Sequence, residues 1–145
     1  TSFWRQGGGA ESYDPWVNAL HSDGRNPADY RVGIIRSILV TDDKASDWEP
    51  VRASERYRMK LYRRFFEESG EGFGRHGEQV PQTWIVGDVD HCVDEIKAFV
   101  RSFGITDIVS MAVPPGMRAG DMSQSLERLF TQVVPRVKQE LQLEA

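Results

Sequence analysis

The chain has 145 residues, of which 39% are hydrophobic and 28% charged, a composition that suits one modest globular core. Eighteen Lys and Arg against 22 Asp and Glu leave a net charge of −4, which argues against nucleic acid or an anionic membrane surface as a partner. The single cysteine, Cys92, excludes an internal disulfide framework and a Cys-rich zinc site. No apolar run approaches the roughly 20 residues of a membrane span, and no signal peptide is visible, so a cytoplasmic location is expected.

Residues 1–12 read as a flexible N-terminal segment because of Gly7-Gly8-Gly9, although Phe3 and Trp4 ask for apolar contact. A short helix is expected from Asp14 to about Ser22, with Asp14 as cap and Pro15 in its first turn. Residues 31–41 (RVGIIRSILVT) are apolar on both faces, the pattern of a parallel strand covered on each side. A long helix follows from about Trp48 to Glu68, with Asp47 as cap and Pro50 in the first turn. Trp48, Val51, Leu61, Tyr62 and Phe65 fall near one apolar stripe, and Arg56, Arg58, Lys60, Arg63 and Arg64 read as a solvated face.

Residues 70–83 form a Gly-rich loop that follows a helix, the wrong setting for a dinucleotide site. A helix from Val89 to Phe103 is announced by Asp88 at its start and Gly104 at its end. Residues 105–113 (ITDIVSMAV) are the second strand, and PPGMRAG at 114–120 is a turn. The last helix begins near Asp121 or Ser123, buries Leu126, Leu129, Phe130, Val133, Val137 and Leu141, and is expected to kink at Pro135. Two strands separated by helices imply parallel pairing, yet two strands alone cannot bury their apolar faces. The pattern is that of a piece of a larger sheet.

Four stretches carry a family resemblance: residues 16–43 (WVNALHSDGRNPADYRVGIIRSILVTDD), 84–110 (WIVGDVDHCVDEIKAFVRSFGITDIVS), 114–117 (PPGM) and 125–137 (SLERLFTQVVPRV). In this order they resemble the C-terminal part of the bacterial luciferase-like flavin-dependent monooxygenases. The resemblance implies an α/β fold, the C-terminal portion of a (β/α)8 barrel, with two parallel strands and flanking helices. A whole barrel takes about 250 residues, so residues 1–145 are expected to be a single partial domain. The implied chemistry uses reduced FMN, or the deazaflavin F420, with O2 on a small organic substrate. A separate flavin reductase is a possible partner of the FMN type. This chain alone is expected to be inactive and to bind no flavin. The competing reading is a non-catalytic α/β module, derived from such an enzyme, that completes its sheet as a homo-oligomer. Val32, Ile34, Ile38, Val40, Ile108 and Met111 are then expected at the interface or in the shared core.

Barrel chemistry sits at the C-terminal ends of strands, which marks Gly116 and Met117 as candidates for the flavin or substrate pocket. Gly116 permits close backbone approach, and Met117 offers a soft apolar surface. Arg36 interrupts an apolar strand and needs a partner, either a structural counter-ion or a ligand, unless it points to solvent. No residue is marked as catalytic. His76 is the one histidine considered as a base, and His21 and His91 carry no metal-ligand spacing, so no metal is expected. Cys92, near Asp90 and Asp94, reads as an inert thiol.

Overall fold

The computed structural model describes residues 3–6, 10–69 and 84–142, with the side chains of 3–6, 10–12 and 66–69 left aside. In chain order the elements are β1 (Phe3–Gln6), α1 (Ala10–Ser22), β2 (Val32–Ile35), β3 (Ser37–Val40) and α2 (Lys44–Ser69), then β4 (Trp84–Gly87), α3 (Val89–Phe103), β5 (Asp107–Val109), α4 (Ala119–Arg128) and α5 (Val134–Glu140). The Gly-rich stretch 70–83, with His76, lies outside the described residues.

The doubly apolar stretch 31–41 is a central strand, and its pairings are all parallel. It changes partners at Arg36. Val32–Ile35 lie between β1 and β5, with Gly33 opposite Asp107, while Ser37–Val40 pair with β4. The Arg36 N–H is donated to Val109 O at 2.9 Å and the Thr41 N–H to Gly87 O at 2.8 Å. These donors are an odd number of residues apart on one extended run, so β5 and β4 flank opposite edges of it. Stretches 31–41 and 105–113 are thus parallel neighbours, as expected, but β5 is only three residues long.

The expectation of two strands is corrected to five short ones among the described residues. Phe3–Gln6, inside the segment read as loose, pairs with β2, and the four apolar residues Trp84–Gly87 pair with β3. Both runs are too short to show a period of their own and become strands by pairing with the central one. Side-chain alternation sorts the core. Ile38, Val40 and Ile85 face α3 and the C-terminal helices, meeting Val93, Ile96 and Val133. Leu39, Trp84 and Val86 face the other way, onto Trp48 and Val51 of α2 and Met122 of α4.

The helix ends explain themselves unevenly. In α3 the Asp88 carboxylate accepts the His91 N–H at 2.8 Å, and Gly104 closes the helix at φ 56°. α1 starts at Ala10 rather than Asp14, which leaves Pro15 inside it at the loss of one intrahelical bond. α2 starts at Lys44 because Asp43, not Asp47, accepts the Ser46 N–H (3.1 Å), so Pro50 lies beyond the first turn. α4 starts at Ala119, where the Asp121 carboxylate accepts the Arg118 backbone N–H at 2.9 Å and a second bond from the Arg118 guanidinium at 2.9 Å. At Pro135 the helix carries a π turn, Leu129–Val133: it widens, the Val134 N–H reaches Leu129 O, and the Thr131 carbonyl is not asked for a donor that proline lacks. Leu129, Val133 and Val137 are buried as expected, but Phe130 is 66% exposed.

The buried face of α2 runs through Trp48, Val51, Ser54, Glu55 and Arg58. Of the expected stripe, Leu61 and Phe65 are instead exposed, at 38% and 65%. Arg58, read as solvated, is buried in an ion pair with Glu55. No helix among the described residues is long and apolar enough to cross a membrane.

Candidate functional site

The C-terminal end of β3 and the segment after β5 converge on one side of the sheet. Pro114–Met117 is a type II turn: Gly116 takes φ 84°, and the Met117 N–H is donated to Pro114 O at 3.1 Å. Glycine stands there for its backbone conformation, since a Cβ at Gly116 would meet nothing within 4 Å. The Ser54 hydroxyl of α2 donates to Pro115 O, and Arg58 Nη1 lies 2.9 Å from Met111 Sδ. Helix α2 therefore holds the turn in place. On the other side the Val40 N–H is donated to Ser125 Oγ of α4 at 2.8 Å.

Between these elements lies a cleft of about 720 Å³, within the range of small-molecule sites. Asp47, Val51 and Ser54 form one wall, and Gly116, Met117 and Met122 the other. Gly116 and Met117, the two candidates that follow β5, both line this cleft. Arg36 is not. It is 2% exposed, stacks its guanidinium 4.7 Å from the Phe99 ring centroid, and donates from Nη1 to Ile35 O at 2.8 Å. It points to α3 and does not line the cleft.

The cleft residues that sequence reasoning missed are Asp47, Ser54 and Met122. Asp47, read as a helix cap, stands inside the first turn of α2, the helix that follows β3. Its carboxylate accepts the Thr41 hydroxyl. Asp121, the other charged lining residue, is bound by Arg118, whose guanidinium holds that carboxyl below its usual range. His21 and His91 are exposed and away from the cleft lining. Among the described residues no group of three His, Cys, Asp or Glu side chains is placed to hold a metal.

Parallel strands, helical crossovers and a cleft at the strand ends define part of a (β/α)8 barrel. The solved structure of a long-chain alkane monooxygenase (LadA) shares this fold with a TM-score of 0.58 at 13% sequence identity. The match covers 99% of the present chain and 38% of that enzyme's chain, so the present chain spans well under half of its length. No protein-family model and no curated protein matches the sequence.

FMN, implied by the sequence resemblance, brings a phosphate of about −1.5 to −2 charges. The cleft lining contains two carboxylates and no Lys, Arg or His, so this cleft does not fit that phosphate.

Proposed function

We propose that this chain is the C-terminal part of a flavin-dependent monooxygenase barrel that uses reduced flavin and O2 on a small organic substrate. The observation that carries the reading is the cleft at the C-terminal ends of parallel strands, walled by Gly116 and Met117. The chain's own contribution is the organic-substrate side. Met117, Pro50 and Ala53 supply apolar surface, backed by the buried Val51 and Met122, and the type II turn fixes Met117 at the rim. The flavin, FMN or deazaflavin, is anchored by parts of the barrel other than this cleft, and a cytoplasmic reductase supplies it reduced.

The test is an anaerobic spectral titration of the full-length protein with reduced FMN and reduced deazaflavin, followed by O2 and candidate substrates. Saturable binding of one flavin and O2 uptake that depends on substrate are expected. Met117→Lys should weaken substrate and leave flavin affinity unchanged. A full-length protein that binds neither flavin overturns the reading.

A further inference from the structure

We propose that the outer face of α2, from Arg56 to Phe65, is a docking surface for an acidic amphipathic helix of a partner protein. This face is separate from the cleft, whose lining on α2 ends at Ser54.

Tyr57, Leu61 and Phe65 follow one another at a spacing of four and are all exposed. They form one apolar row about 12 Å long on the helix surface. Arg56, Lys60 and Arg64 keep the same spacing one residue earlier, so a cationic row runs beside the apolar one, about 100° round the helix. Nothing acidic interrupts it: residues 56–64 hold five Lys and Arg and no Asp or Glu. Arg58 turns inward to Glu55, whereas Arg56, Lys60 and Arg63 are exposed and make no ion pair among the described residues. From Lys60 to Phe65 every residue but Tyr62 is exposed. These turns of α2 therefore lack the tertiary packing from which a helix in a protein draws most of its stability, and a docked helix supplies it.

Charge decides the occupant. The complement of an apolar row beside a cationic row is an apolar row beside carboxylates, which one side of an acidic amphipathic helix presents. Thirteen of the 18 Lys and Arg lie outside 56–64, against all 22 Asp and Glu. An extended polyanion, whether a nucleic acid or an anionic bilayer, meets net negative charge beyond α2, whereas a helix of a few turns stays within the cationic row.

The experiment measures fluorescence anisotropy of labelled helical peptides titrated with the 145-residue chain. The first peptide has a row of Leu beside a row of Glu; the second has Lys in place of Glu, and the third Ser in place of Leu. The Leu/Glu peptide is expected to bind at least about tenfold more tightly than either control, and more weakly as salt is raised. Phe65→Ala and Lys60→Glu should each weaken it severalfold; both side chains are exposed, and unchanged thermal unfolding checks that the fold is kept. Equal binding of the Ser/Glu peptide reduces the effect to attraction of any polyanion, and equal binding of the Leu/Lys peptide reduces it to apolar adhesion; either overturns the proposal. So does tighter binding to phosphatidylserine vesicles than to the Leu/Glu peptide, no effect of the two substitutions, or no binding at all. Self-association of the chain that Phe65→Ala abolishes assigns the face to a second copy instead. Binding that is lost in the full-length protein means that the rest of the barrel covers the face, which overturns the proposal and leaves the barrel reading intact.

Discussion

Cys92 shows how a side chain three residues from the start of a helix can be shut off chemically. It is fully buried beneath Gly87, whose carbonyl lies 3.5 Å from the sulfur. Burial, reinforced by the Asp88 charge, pushes its thiol from an ordinary 9.0 up to about 11. The inertness was legible in the sequence, but the cause was not. Asp90 and Asp94 were the visible neighbours, whereas desolvation dominates and Asp88 is the leading charge. We predict that the folded chain resists thiol-specific disulfide reagents at pH 8 and reacts at once in denaturant; rapid labelling of native protein would contradict the burial. The sign of the pH effect follows. The folded thiol holds its proton more tightly than the unfolded one, so its contribution to stability is complete below pH 9 and is lost as pH rises from 9 towards 11. A second residue-scale prediction concerns Gly116. At φ 84° a side chain is strained although space is free, so Gly116→Val should cost roughly 1–3 kcal/mol. Gly116→Asn should cost less, because asparagine tolerates positive φ. Urea unfolding of the two variants decides, and equal losses would reject the turn assignment.

Among the elements, α3 was the most legible because its signals are local: Asp88 and Gly104 bracket it and Val93 and Ile96 mark its inner face. α2 was the least legible beyond its first turns. Val51, Ser54, Glu55 and Arg58 are the face that turns inward, and a buried Glu–Arg pair looks like surface in a list of residue types. Apolar residues on the other face then pass for core. Tyr57, Leu61 and Phe65, spaced at four, are all exposed, at 56%, 38% and 65%. This gives a contrast within one helix. Phe65→Ala should change stability by no more than about 0.5 kcal/mol, the range of a surface substitution. Trp48→Ala, which empties a site packed against Trp84 at 5.4 Å between ring centroids, should cost about 3–5 kcal/mol. Chemical denaturation of both variants measures it. A large loss from Phe65→Ala would mean that the outer face of α2 is covered in solution. Arg36 was flagged correctly as an anomaly, but its partner ring, Phe99, lies far along the chain, and no local pattern could connect them.

For the whole molecule the question is what covers the sheet. The sequence places Val32, Ile34, Ile38 and Val40, with Ile108 and Met111, at an interface between copies or in a shared core. The first four are buried by the chain's own helices, with α3 and the C-terminal helices over Ile38 and Val40 and α1 and α3 over Val32 and Ile34. The helices supply covering area that a count of strands alone leaves out. Ile108 is half-buried, and Met111 remains exposed together with Val109 and Val113. Val109 ends β5, the edge of its sheet, and Met111 and Val113 follow in the segment beyond it. Phe130 adds an exposed ring on the C-terminal helical run. Removal of apolar surface from water is worth about 25 cal/mol per Å², so this residual face favours association, though less strongly than a bare sheet would. We therefore expect reversible self-association of the 145-residue chain through the Val109–Met111–Val113 face, read as a rise in weight-average mass with concentration in sedimentation equilibrium. Val109→Thr with Val113→Thr should return it to monomer without loss of cooperative unfolding, because neither side chain belongs to a buried cluster. A monomer at tens of micromolar in the unaltered chain would show that this face is tolerated in water, and would remove the support for the oligomerising-module alternative to the enzyme reading.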